Sequence, residues 1–223
     1  MDDMAKGISE KEGYEIIPIP TRILTEHDSI VDAIREYGGD KIGPQDVVCT
    51  AESVVAITQG GAVRPESLNI SFAAKVLSQL FPGYGSIGNW AAMQVLLNES
   101  GTLRVLMAVV VGFFMKLLGK PGWFYRLGGW QAKLIDDCTG TMPPYDKHIV
   151  LGPKDPVKVC NAIKEATGCF GAAIADVNDL HRSACLGCTR GVDPRLVEKI
   201  LIDNPFGNAS QKTPICVIKN YIR

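Results

Sequence analysis

The residues best equipped for chemistry in this chain are three aspartates. Ile135-Asp136-Asp137 interrupts an otherwise apolar, glycine-rich region, and Asp176 closes the small-residue run Gly171-Ala172-Ala173-Ile174-Ala175-Asp176. A carboxylate at the C-terminal end of a strand faces the crevice in which α/β proteins bind ligands. Two or three such groups converging suit Mg2+ or Mn2+, hard cations that prefer oxygen ligands and bring phosphate with them. Asp is also a common cap and turn residue, so composition alone leaves a structural role open. Spacing in the sequence does not by itself bring residues 136 and 176 together.

Two further motifs promise less. Cys185-Leu186-Gly187-Cys188 has the spacing of a metal or redox pair. A structural zinc needs four ligands, however, no second such pair exists, and His181 would add only one. The seven cysteines are odd in number and lie mostly in apolar stretches such as Val47-Val48-Cys49, where cysteine acts as a small hydrophobe. Gly83-Tyr84-Gly85-Ser86-Ile87-Gly88 matches a dinucleotide fingerprint by letter. A helical segment instead of a strand precedes it, so an inter-helix turn is expected.

The elements that must position these residues alternate between strand-like and helix-like. Tyr14 to Ile19 reads as a strand, with Pro18 placing it at an edge or strand end. A helix follows, capped by Asp28 and stopped by Gly38-Gly39. Asp46 to Thr50 reads as a buried strand and Glu52 to Gln59 as a short helix. Residues 69–81 and 89–98 are expected to form two apolar helices split by Pro82-Gly83. In the second half, His148 to Leu151 is a strand, Asp155-Pro156 opens a helix ending at Gly168, and 171–176 is a strand. Asp193-Pro194 opens a helix to about Ile202, and Pro214 to Lys219 is a final strand. This alternation predicts a mixed α/β fold. The punctuation at 119–129 divides it into an N-terminal part, 1–118, and a C-terminal part, 119–223, that carries the aspartates. The uncharged run Val105 to Met115 is expected to be core, being shorter than the roughly 20 residues of a membrane span, with an interfacial or partner-binding surface as the alternative left open by Leu117-Leu118 and Trp123-Phe124-Tyr125; a membrane span is not expected.

Composition excludes some classes. The 23 basic and 24 acidic side chains give a net charge of −1, without the cationic surplus of a nucleic-acid binder. A 46% hydrophobic content argues against disorder. The start Met1-Asp2-Asp3-Met4-Ala5-Lys6 has no apolar core of a signal peptide, so a reduced, cytoplasmic setting is expected.

Several segments, taken in order, resemble the γ-glutamyl ligase family of the deazaflavin coenzyme F-420. They are the stretch from Tyr14 through Arg22-Ile23-Leu24 to Ile34, Asp46 to Gly60, Leu134-Ile135-Asp136-Asp137-Cys138-Thr139, Val150 to Pro156, Ala173 to Asp176, and Phe206 to Ile218. The resemblance implies a two-part γ-glutamyl-ligase-like α/β fold in a homodimer. It also implies a metal- and GTP-dependent reaction that activates a carboxylate as an acyl phosphate and couples it to the amine of L-glutamate or another amino acid. Carried across, Asp136 and Asp176 become ligands of Mg2+ or Mn2+. Arg22, Ile23, Glu52, Ser53, Thr139 and Asn208 fall on the nucleotide side. The acceptor is a small-molecule carboxylate.

The chain departs from the family at the nucleotide. Two positions that usually carry lysines beside the GTP phosphates read Ser53 and Ile57, which removes charge complementarity. Arg182 or Arg190 are the candidates to replace it. Two functions therefore stay open: a divergent amide ligase, and a ligase-like fold that has lost catalysis and binds a ligand or partner.

Overall fold

A computed structural model describes residues 8–81, 86–135, 143–207 and 211–222. The chain divides into two units, residues 1–60 with 153–223 and residues 61–152; the boundary expected at 118 falls inside the second.

The first unit begins with β1 (Ser9–Lys11), β2 (Tyr14–Ile19), α1 (Ile30–Gly38), β3 (Val47–Ala51) and α2 (Glu52–Thr58). The second contains β4 (Ala62–Val63), α3 (Phe72–Ser78), α4 (Trp90–Ser100), α5 (Thr102–Leu117), α6 (Trp123–Leu127), α7 (Gln131–Leu134) and β5 (Ile149–Val150). The chain then returns to the first unit with α8 (Pro156–Thr167), β6 (Gly171–Asn178), β7 (Arg182–Cys188), α9 (Pro194–Ile200) and β8 (Ile215–Ile218). The expected mixed α/β architecture is realised in the first unit as a six-stranded sheet of order β1-β2-β8-β3-β6-β7 among the described residues. Within it β3 and β6 run parallel and the other pairs antiparallel.

Period-two alternation sorts the strand residues onto two faces. Val48, Ala172, Ile174, Ile215 and Val217 pack against α1, α2 and α8. Val47, Cys49, Ala173, Ala175, Cys216 and Ile218 pack against α9. Pro18 pairs with Cys216 of β8 beyond the reach of β1, which pairs only Tyr14 to Ile16. Its strand therefore has a single neighbour there, as a proline in a sheet requires.

Two expected caps differ in detail. Ser29, not Asp28, caps α1 by accepting from the Asp32 N–H; Asp28 is turned into the preceding loop. Asp155 precedes α8 in a left-handed conformation and makes no side-chain cap bond. Asp193 caps α9 as expected, accepting from the Arg195 N–H at 2.9 Å.

In the second unit, α4 is buried on all sides from Ala91 to Leu97, the position of a helix that is apolar all round. Its one polar side chain there is satisfied: Gln94 Oε1 accepts from the Ser71 N–H and its amide donates to Asn98. Buried Gln131 likewise holds the backbone of Gly152 through both amide atoms, at 2.8 and 3.0 Å. The glycine motif at 83–88 follows α3 instead of a strand, and its described part, Ser86 to Gly88, is one helical turn. A Cβ on Gly88 would meet the Phe81 carbonyl oxygen at 2.8 Å, so this glycine is there for close packing.

The expectation that 105–115 is core needs correction. Only Val105 and Ala108 of α5 are buried, while Leu103, Leu106, Met107, Val110, Phe113, Phe114 and Leu117 are exposed. The helix is apolar on every side but packed on one, a distinction that hydropathy cannot make.

Candidate active site

In the first unit, four chain segments meet at one edge of the sheet. The antiparallel and parallel registers align Ile19 with Ile215, Ile215 with Thr50, and Ala51 with Ala175. The loop leaving β2, the segment entering β8, the start of α2 and the end of β6 therefore share an edge. Backbone hydrogen bonds bind them together: the Thr21 N–H donates to the Lys212 carbonyl at 2.8 Å and the Ala51 N–H to the Pro214 carbonyl at 2.9 Å. This is the carboxyl end of the parallel pair, where open α/β sheets bind ligands.

Asp176 lies one residue past that aligned pair. Its neighbours Ala175 and Val177 face α9, so alternation turns Asp176 to the α1, α2 and α8 face. It is half-buried, and among the described residues it makes no hydrogen bond or ion pair. Burial alone pushes its carboxyl up from the ordinary aspartate range. Glu52 leaves β3 beside it by register and opens α2 together with Ser53; both are half-buried. Thr50, fully buried on the same face, adds a hydroxyl with no hydrogen-bond partner in the described structure. Sequence reading passed over Thr50 because a β-branched residue inside a strand is unremarkable.

The loop after β2 is held by its own acid. Asp28 accepts from the Thr25 N–H at 2.7 Å and forms a two-pronged ion pair with Arg22. That pairing, and the Thr25 N–H, hold the Asp28 carboxyl well below the usual range. Arg22 is exposed and Ile23 half-buried at the same edge. Gln59, at the far end of α2, clasps the backbone of Lys154 at 2.7 and 2.9 Å and so fixes α2 to the entrance of α8.

A family model of F420-0:gamma-glutamyl ligases matches residues 18–175. The chain belongs to this family. Membership in the F420-0:gamma-glutamyl ligase family makes it a ligase-type protein with small-molecule substrates. The matched span contains Arg22, Ile23, Glu52, Ser53, Asp136 and Thr139 and stops one residue short of Asp176. No curated protein matches the chain.

Seen as a family member, the chain brings Arg22, Ile23, Glu52, Ser53 and Asp176 to one edge of one sheet. Asp136, Thr139 and Asn208 lie outside the described residues. No group of three or more His, Cys, Asp or Glu able to hold a metal occurs among the described residues; the oxygen donors that register brings together at this edge are Asp176 and Glu52. Mg2+ and Mn2+ fit such donors, since they are commonly held by one or two carboxylates with phosphate and water completing the shell.

Of the two arginines considered as lysine substitutes, the register keeps one. Arg182 pairs with Asn178 and shares the face of Asp176. Arg190 follows Thr189, whose N–H donates to the Ala172 carbonyl. That is the other end of β6, about 13 Å away at strand rise. Ile57 is buried, so the second of the departed lysine positions is now part of the core.

The Cys185/Cys188 pair has a structural account. Ala175 pairs with Cys185 and Ile174 with Gly187, leaving Leu186 as an extra residue in β7. That bulge puts both cysteines on one face, against the cluster under α9. Burial pushes the Cys185 thiol up to about 12 and raises Cys188 as well, the opposite of an activated redox pair.

Proposed function

We propose that this ligase-family chain is a metal- and nucleotide-dependent amide ligase whose reaction is run at the Asp176 edge. The observation that carries the reading is Asp176 itself: a half-buried carboxylate with no protein partner among the described residues. An isolated buried charge is costly, and in functional sites such a group is usually balanced by a cation. Asp176 and, by the family resemblance, Asp136 are the ligands for Mg2+ or Mn2+. The cation's contribution is to neutralise phosphate charge.

The chemistry balances without a nucleophile on the protein. An acceptor carboxylate oxygen attacks the γ-phosphorus of GTP, the bond to the β-phosphate oxygen breaks, and GDP leaves. The amine of L-glutamate then attacks the acyl phosphate carbon, phosphate departs, and the amine gives up a proton to form the amide. The edge described above supplies positioning: Glu52 and Ser53 open α2, Arg22 is fixed by Asp28, and Arg182 is the cation on the face of Asp176. A homodimer and a cytoplasmic setting accompany this reading.

The second reading, a ligase fold without catalysis, is favoured by one observation. The lysine positions now carry a hydroxyl at Ser53 and a buried side chain at Ile57. Incubation with F420-0, L-glutamate, GTP and Mn2+ tests the two. The ligase reading expects glutamate incorporation with one GDP released per amide. Absence of both turnover and calorimetric binding of GTP or ATP would sink the ligase reading and leave the second.

A further inference from the structure

Helix α5 is apolar on two sides. Its inner side buries Val105 and Ala108, and Gly112 lets the backbone of Phe124 in α6 approach a would-be Cβ to 3.0 Å. Its outer side repeats at helical spacing, with Leu103, Leu106, Met107, Val110, Phe113, Phe114 and Leu117 all facing outward. Leu103 is 76% exposed and Leu117 69%. A surface helix normally turns charge outward, and a contiguous apolar face of this kind marks an interaction site.

The charges of the segment that carries that face identify what it meets. From Gly101 to Ile135 the chain carries Arg104, Lys116, Lys120, Arg126 and Lys133 and no acid, so all 24 acidic residues lie elsewhere. All five cations are exposed. Amphipathic aromatics accompany them: Trp130 is 46% exposed, and Arg126 lies over the Trp123 ring, 5.5 Å from its centroid. Apolar stripe, unopposed cations and tryptophans within one segment together are the composition of an element that lies in a membrane interface.

We propose that the α5–α6 hairpin docks on the surface of an anionic lipid bilayer, its outer stripe in the acyl boundary and its cations at the headgroups. It lies on the bilayer and does not cross it. The 16 residues of α5 reach about 24 Å at helical rise, less than the roughly 30 Å of a hydrocarbon core. No single described helix is long and apolar enough to span; α4 and α5 together have the length and composition, but they are bent by 112° at their junction and α4 is buried from Ala91 to Leu97. A second copy is a poorer occupant, because residues 101–135 carry five cations and no acid to pair with them across a contact of this face with itself. The inference is independent of the ligase reading.

Co-sedimentation of the full chain with phosphatidylcholine vesicles, with and without phosphatidylglycerol, tests it. Retention is expected only on phosphatidylglycerol-containing vesicles, and added salt should release the protein. Lys116→Glu with Lys120→Glu should weaken binding at least about tenfold. Phe113→Glu with Leu117→Glu should abolish it, and since all four side chains are exposed, both variants should melt as the parent does. No binding to anionic vesicles, or binding indifferent to both variants, overturns the proposal. So does a solution dimer dispersed by Phe113→Glu, which would assign the face to a second copy.

Discussion

Replacing Asp176 by Asn separates what the carboxylate costs from what it does. Burial raises its pKa, with no partner among the described residues to offset it. Below the ordinary aspartate value of about 3.9 the group is protonated in both states and costs nothing. Between that value and the raised native one, the folded chain binds more protons than the unfolded, so stability falls as pH rises. Above the native value the whole penalty is present. An amide is cheaper to desolvate than a carboxylate, so Asp176→Asn should stabilise the metal-free protein near neutral pH. An unsatisfied buried polar group costs about 1–3 kcal/mol, and Asp176 is only half-buried, which puts the gain near 1 kcal/mol. For a chain of this size that is a rise in Tm of about 2–4 °C. Melts in chelator-treated buffer, stepped downward in pH, are the assay: the two curves should converge toward about pH 4. With Mn2+ and GTP the order should reverse, since a ligand at a hundred times its Kd adds about 2.7 kcal/mol to the parent alone. A variant no more stable than the parent near neutral pH without metal would refute the reasoning, because the carboxylate would then have a stabilising partner.

Two other outcomes follow from the packing. Cys185, with its thiol pushed up to about 12, and Cys188 should resist iodoacetamide in the folded protein and react fully once it is unfolded; rapid labelling of the native chain would revive a redox role. Met93→Ala, at a fully buried site on α4, should cost about 2–5 kcal/mol in urea unfolding.

Much of the sheet was legible because its signals are local. Val47-Val48-Cys49 and Ile215-Cys216-Val217 are apolar runs of strand length, and Asp193-Pro194 and Gly168 are helix punctuation with a mechanism. β7 was not legible. Arg182-Ser183-Ala184-Cys185 alternates only weakly, its bulge breaks the period, and the cysteine spacing drew attention to metal chemistry instead. The cap of α1 was misplaced by one residue because Asp28 and Ser29 are both good caps, and only the loop's need for an acceptor at Thr25 and Arg22 decides between them. The exposure of α5 was illegible for a deeper reason: an apolar helix surface carries no mark of whether a partner covers it.

At the site, Asp176 was readable as an acid on the strand that opens at Gly171, although β6 runs two residues past it to Asn178. That Arg182 and not Arg190 shares its face follows from register, which is a property of the hairpin and not of either residue. Glu52 and Asp176 stand side by side only because β3 and β6 are parallel neighbours, with the members of each facing pair 124 residues apart in the chain. Such long-range pairing is what a single sequence does not display.

The most direct test of the ligase account is calorimetric titration of the chain with GTP, with and without Mn2+, in the parent and in Asp176→Ala. Nucleotide binding that requires Mn2+ and disappears in the variant is the predicted result. Binding that is equally strong without metal, or unchanged in Asp176→Ala, would contradict the assignment of this carboxylate to the metal.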